Sequence, residues 1–241
     1  DPRFGREWGS GSEGLWQVNA DPGNFAAFQF NQRPAVLHLH LSPVEPLVTA
    51  AARVRAAIEE TRLLAEHRFD LNVSRAGIYG LEWGVPPDWT VTQVEGEGIE
   101  DWQSSAGQLR LRFAQRLLGQ RVLTVHLEQA LNRLPPDIAL TPLRLASATR
   151  QTALIGVGAS AGIQLKTGVL SGCREIPVGA LPERRDESLA FRADAGDWRV
   201  ALAVERLSPR IVAEVFNLVT IGDGLVGGGA TIRFGIVNQG V

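Results

Sequence analysis

The sequence predicts an all-β protein: tandem antiparallel β-sandwich modules of immunoglobulin-like size, with an internal repeat of about 163 residues. Three observations predict it. Pro46 to Ile78 and Pro209 to Val241 share one pattern of apolar residues without a gap, Pro209 standing where Pro46 stands in the first copy. Within each copy apolar and polar residues alternate at period two, the signature of a half-buried strand. Turn signals such as Pro86-Pro87-Asp88 and Gly96-Glu97-Gly98 punctuate short strands, as they do in sandwiches.

The matched pairs include Ala50/Ala213, Phe69/Ile232, Leu71/Phe234, Val73/Ile236 and Gly77/Gly240. The match extends backwards, with Leu37, Leu39 and Leu41 falling on Val200, Leu202 and Val204, and Phe28 on Phe191. Such a period is far longer than the roughly 20–50 residues of a solenoid unit and fits whole domains. The predicted division is a tail of a preceding β module in 1–45, a β-sandwich module in 46–148, a second β module in 149–208, and the first hairpin of the next repeat in 209–241. The second copy stops soon after its hairpin and the chain has no methionine, so these residues are expected to be cut from a longer chain. An unfinished hairpin has open edges, so Ile211 to Val237 is expected to pair with strands from the segment before Pro46 or from another copy.

Taken in order, residues 1 to 14 are rich in glycine, serine and charge and read as a poorly ordered lead-in. Leu15 to Val18, Phe25 to Phe30 and Ala35 to Leu41 read as three strands separated by Asp-Pro-Gly and Gln-Arg-Pro. Between Thr49 and Glu66 two rules conflict, because alanine, arginine, glutamate and leucine are good helix formers. Periodicity decides. Val54, Ala56 and Ile58 alternate with Arg53, Arg55 and Ala57, and Ala65, His67, Phe69, Leu71 and Val73 alternate with polar neighbours. The second copy turns at Gly222-Asp223-Gly224 and returns through Gly227, Gly228 and Gly229, a run that no stable helix tolerates. The spacing therefore predicts a hairpin. Strands continue as Gly80 to Val85, Trp89 to Glu95, Gln108 to Phe113 and Arg121 to Glu128. Leu131 to Thr149, proline-rich and without a sustained period, reads as a connector. A second set follows as Thr152 to Val157, Gly162 to Leu165, Glu175 to Val178, Ser188 to Ala193 and Arg199 to Arg206.

Composition narrows the function. With 44% apolar residues, 21% charged residues and a net charge of −2, the chain is an ordinary globular one rather than a disordered one. Nucleic acid is not the expected partner, because neutralising phosphates takes a basic surface. No apolar run approaches the roughly 18 residues a membrane helix needs. The start, Asp-Pro-Arg-Phe-Gly, lacks the basic and apolar regions of a signal peptide. Lys166 is the only lysine and Cys173 the only cysteine, so no internal disulfide can form.

Several constellations carry chemistry elsewhere and have a structural rival here. Gly158-Ala-Ser160-Ala-Gly162 matches the nucleophile elbow G-x-S-x-G, which needs a histidine downstream. All four histidines, His38, His40, His67 and His126, precede Ser160. The overlapping Gly156-Val-Gly158-Ala-Ser-Ala161 matches G-x-G-x-x-A, with Glu175 near the distance expected of a ribose ligand. That reading requires a helix after the glycines, whereas Ile163 to Val169 alternates; a tight turn is the preferred account. His38 and His40 sit on one face of a strand and could grip a metal, but a third ligand is missing nearby. Glu95, Glu97, Glu100 and Asp101 concentrate carboxylates without calcium-loop spacing, and read as a solvated acidic loop. Arg110, Arg112 and Arg121 form a basic stripe opposite Leu109, Leu111 and Phe113, again read as a solvated face. Trp83 alternates with Leu81 and Val85 and belongs to a core; Trp89 and Trp102 follow turns and are the two candidate ligand contacts.

The run Leu81-Glu-Trp-Gly-Val-Pro-Pro-Asp-Trp-Thr-Val, then Gly98-Ile-Glu-Asp-Trp102, and later Ala201-Leu-Ala-Val-Glu-Arg-Leu-Ser-Pro209 leading into Glu214-Val-Phe, resembles large bacterial envelope proteins built of repeated β-sandwich modules. The resemblance implies export and a scaffolding role at the cell surface or in the periplasm, and brings no catalytic residues with it. The expected function is therefore a non-catalytic structural or interaction module of a larger bacterial envelope protein, without cofactor or metal. Its expected partners are neighbouring repeats of the same chain and a protein or glycan. The alternative is a carbohydrate-binding accessory module of a carbohydrate-active enzyme, with Trp89 and Trp102 against the sugar.

Overall fold

The computed structural model describes residues 43–208 and 210–237. The strands expected between Leu15 and Leu41, with His38 and His40, lie outside the described residues, and so does any pairing of the last hairpin with them. Within the described residues the protein is all-β, with one turn of 3-10 helix at Val178–Ala180. The alternation read as strand over Thr49 to Val73 is strand: β1 (Leu47–Ile58) and β2 (Arg62–Gly84) pair antiparallel from Leu47↔Ser74 to Ile58↔Leu63. Helix propensity loses here because every second residue of β1, from Val48 to Ile58, is buried, and only a strand puts all of them on one face.

Next to β2 lies β5 (Gln108–Ala130), and each of these strands is 23 residues long. Gln108 to Phe113 and Arg121 to Glu128, expected as separate strands, are halves of one bent strand. The ladder shifts register between Val73 and Gly80, where Arg75 and Gly119 take left-handed backbone at φ 66° and 90°. Glycine accepts that conformation without a Cβ clash, so the strand turns there instead of ending. β3 (Thr90–Gly96) and β4 (Ile99–Ser105) follow one another along the free edge of β5. Ala106 and Gly107, both at positive φ, make the two-residue turn from β4 into β5 whose twist suits a hairpin.

The division at residue 148 does not hold. β8 (Ala148–Ala159) runs parallel to β1, and β11 (Glu187–Ala193) pairs with its other edge, followed by β10 (Arg174–Ile176). Strands from 46–148 and from 149–208 thus share one sheet, in the order β10-β11-β8-β1-β2-β5-β3. The connector is also structured. Leu131 to Thr149 contributes β6 (Asp137–Leu140) and β7 (Arg144–Leu145), and buries Leu134, Ile138, Leu140, Leu143 and Leu145. Its alternation is real but comes in short pieces, broken by Pro135, Pro136 and Pro142.

A smaller antiparallel sheet, β6-β12-β9, is formed with β9 (Ile163–Ser171) and β12 (Arg199–Arg206). Its Ile138, Val200 and Leu202 join Phe69, Leu123 and Ile155 of the large sheet in one core. Two sheets sharing a core make a β-sandwich, mainly antiparallel but with the β1–β8 pair parallel.

The last described strands are β13 (Arg210–Gly222) and β14 (Leu225–Val237), antiparallel from Arg210↔Val237 to Gly222↔Leu225. Among the described residues each pairs with the other alone. Both faces are exposed: Phe216 is 66% and Phe234 62% accessible.

Candidate functional site

The glycine loop is the sharpest chemical candidate in the sequence. β8 carries Gly156 and Gly158, Ser160 to Gly162 turn, and β9 leaves as a strand. A helix at Ile163 to Leu170, which a pyrophosphate site requires, is replaced by that strand, and the dinucleotide reading falls with it. Ser160 belongs to the framework: its amide donates to the Ile58 carbonyl at 2.9 Å and its carbonyl accepts from the Ile163 amide at 3.2 Å. The glycines are explained by crowding. A Cβ on Gly158 would stand 2.6 Å from the Asp186 carbonyl oxygen, and one on Gly156 would stand 2.7 Å from the Glu187 side chain.

That crowding leads to a cluster the sequence reading missed. Arg55, on the outward face of β1, lies beside Gly156 in register. Its Nε donates to Glu187 Oε1 at 3.0 Å and its Nη2 to the Glu183 carbonyl at 2.9 Å. The Arg185 amide donates to the other Glu187 oxygen at 2.6 Å. Burial pushes the Glu187 carboxyl up, but the Arg185 amide and the Arg55 guanidinium outweigh it and hold the group below the usual carboxylate range. The arrangement latches segment 183–187 onto β1 and β8. The legible signal was the pair of glycines facing an arginine strand. Only the parallel β1–β8 pairing, which the sequence does not display, sets those glycines beside Arg55.

Trp83 is core, 1% exposed and tilted against Phe69 with ring centroids 5.7 Å apart. His67, stacked on Phe69, is buried, and burial lowers its pKa to about 3, so it is neutral at physiological pH. The two candidate tryptophans are not brought together. Trp89 is half-buried beside Pro86, His67 and Trp198. Trp102, on β4 opposite Leu111, lines a separate open groove of about 710 Å³ with Glu82, Asp101, Gln103 and Arg110. The basic stripe is neutralised by the acidic loop and by β2: Arg112 pairs with Glu100 at 3.3 Å and Arg121 with Glu97 at 2.7 Å, while Arg110 pairs with Glu82 of β2 at 3.1 Å. Exposed pairs of this kind are solubility features worth little stability.

The largest unpartnered feature among the described residues is the hairpin β13–β14. Residues directly opposite in its ladder share a face, which puts Ile211 with Ile236, Val215 with Ile232 and Ile221 with Val226. No charged residue lies on that face. The other face carries Arg210, Glu214 and Arg233 between Val212, Phe216 and Leu218.

No family model matches the sequence. No curated protein matches it either. Among solved structures the chain is similar to an M1 zinc metallopeptidase from Deinococcus radiodurans, at 8% identity and a TM-score of 0.40, over 78% of this chain and 47% of that one. A form of that enzyme bound to a Tyr-Ser-Ala substrate gives a TM-score of 0.42 at the same identity. The chain thus spans about half the length of the metallopeptidase. It is also similar to a non-cellulosomal cohesin from the hyperthermophilic archaeon Archaeoglobus fulgidus, at 16% identity and a TM-score of 0.31, over 46% of this chain and 91% of that one. Among the described residues no helix is long and apolar enough to cross a membrane.

Proposed function

We propose that the chain is a non-catalytic structural or interaction module of a larger bacterial cell-surface or periplasmic protein, in which sandwiches of one kind follow one another at the period that carries Pro46 onto Pro209. One observation carries the reading. Every pair of the β1–β2 ladder recurs in β13–β14 once that same offset is applied: Val48↔Val73 becomes Ile211↔Ile236, and Ile58↔Leu63 becomes Ile221↔Val226. The repeat unit is then a single sandwich of residues 46–208, one period long, instead of the two modules the sequence alone divided it into. The apolar hairpin face supports an interaction role, and the envelope location rests on the resemblance carried by Leu81 to Trp102.

The test is a thermal-stability panel on the whole chain with calcium, zinc, NAD and a set of glycans. A ligand at 100 times its Kd adds about 2.7 kcal/mol, a visible shift of the midpoint; the proposal expects none of them to shift it. A second reading, the glycan-binding accessory module, draws on Trp102 in its open groove. A shift with one glycan that Trp102→Ala abolishes would replace the scaffold with that reading. For location, protease added to intact cells is expected to cleave the protein; full protection there would overturn the envelope assignment.

A further inference from the structure

We infer that the Ile211–Ile236 face of hairpin β13–β14, together with its two outer edges, is a docking surface for the remaining strands of a second sandwich of this same architecture on the same polypeptide. The inference rests on the repeat reading above and says what covers the hairpin.

The environment of β1–β2 supplies the argument. Its buried face, with Val48, Ile58, Phe69 and Val73, corresponds position by position to Ile211, Ile221, Ile232 and Ile236 of the second hairpin. Three partners surround β1–β2. β8 runs parallel along the outer edge of β1, β5 runs antiparallel along the outer edge of β2, and the β6-β12-β9 sheet shares its core. β13–β14 keeps the same register, turn position and apolar face, so it calls for the same three: a parallel strand beside β13, an antiparallel strand beside β14, and a small apolar sheet over the Ile211–Ile236 face. An exposed edge without such a neighbour is a site for strand addition.

A second copy of the chain meets this need poorly. Its β5 and β8 already carry neighbours on both edges. Two hairpins joined edge to edge by a two-fold axis set like strands antiparallel, whereas β1 takes a parallel partner. Stacking the two faces instead buries too little. Strands of 13 residues at about 3.4 Å per residue, two abreast, give about 450 Å² a side. Doubled, that remains below the roughly 1,200 Å² of a stable interface.

The test appends Tyr79–Ser208 after Val241 of the intact chain, supplying the strands that follow the first hairpin at the same spacing. Amide hydrogen exchange is read over Ile211 to Ile236, with mass by sedimentation. The expected result is a monomer in which these amides exchange at least about 100-fold more slowly than in the unextended chain, approaching β1–β2. Ile232→Asp should abolish the gain and Thr231→Asp, on the opposite face, should leave it. A control fusion carries Leu47–Ser74 in place of residues 210–237, so that the appended strands meet a hairpin known to fit them. If the control hairpin is protected while β13–β14 exchanges as fast as before, the inference is overturned. It is equally overturned if the unextended chain already protects Ile211 to Ile236 as a dimer, which makes a second copy the occupant. Neither failure touches the ligand panel, which judges the scaffold reading by itself.

Discussion

β1–β2 and β13–β14 are two hairpins of one register in opposite circumstances. Both alternate apolar and polar residues, and their ladders coincide when Leu47 is laid on Arg210 and Ser74 on Val237. One face of the first is sealed, with Ile58 and Phe69 at 0% exposure, whereas Ile221 and Ile232, at the equivalent positions, are 78% and 51% exposed. The alternation encodes a face that can be buried, but burial itself is supplied by strands far away in the chain. A period-two pattern is thus a statement about compatibility, and the neighbours decide the energy.

The largest test of the comparison is in the core. Phe69→Ala is expected to cost about 3–5 kcal/mol in urea unfolding, and Ile232→Ala within about 0.5 kcal/mol, because no second sheet covers it among the described residues. Equal losses would break the comparison. The latch comes next. Arg55 of β1 corresponds to Leu218 in β13, so the second hairpin has no counterpart of the Arg55–Glu187 contact. Glu187→Gln weakens a charge-assisted bond in a buried setting and should cost about 1–3 kcal/mol. Since the folded carboxyl titrates below its unfolded value, its contribution is present above the ordinary carboxylate pKa and is lost as pH falls through the folded pKa. The variant should show a shallower acid limb in a pH series of unfolding midpoints.

His67, whose counterpart is Ala230, sharpens the contrast through protons. The folded state holds it neutral down to about pH 3, so below about pH 6.5 the unfolded chain binds one proton more. Stability is then full above that pH and falls on acidification by about 1.4 kcal/mol per pH unit, levelling off near pH 3. His67→Leu should flatten this slope between about pH 6.5 and 4.5, a range in which Glu187→Gln leaves it almost unchanged. A small effect also belongs to Arg53, 3.0 Å from Asp70 but more than a third exposed. Arg53→Ala should cost below about 1 kcal/mol, and less in high salt.

Much of both sheets was legible because their longer strands alternate apolar and polar residues. Arg199 to Arg206 is β12 to the residue, and Val54 to Val73 overrode strong helix formers. What stayed hidden has physical causes. The parallel pairing of β1 with β8 leaves no mark in either strand, so the sandwich was cut at residue 148, between partners. β6 and β7 are too short, and too hemmed in by prolines, to display a period. Gln108 to Phe113 and Arg121 to Glu128 read as two strands, and the bend at Gly119 joins them within β5. Both candidate ligand contacts are half-buried and pack against the core, Trp102 also lining an open groove and Trp89 lying beside Trp198. A turn before a tryptophan does not say which side of the sheet it will occupy.

The parallel pairing also sets a timetable. β1 ends at Ile58, but the strand beside it begins at Ala148 and the small-sheet strand β12 at Arg199. Contacts so distant in sequence form slowly, since the intervening chain must be closed before they give anything back. On a ribosome adding about 5–20 residues per second, the first hairpin waits roughly 5–20 s for β8, with the outer edge of β1 open meanwhile. In β14 three consecutive glycines, Gly227 to Gly229, are poor strand formers, which makes that edge a weaker template for strand addition.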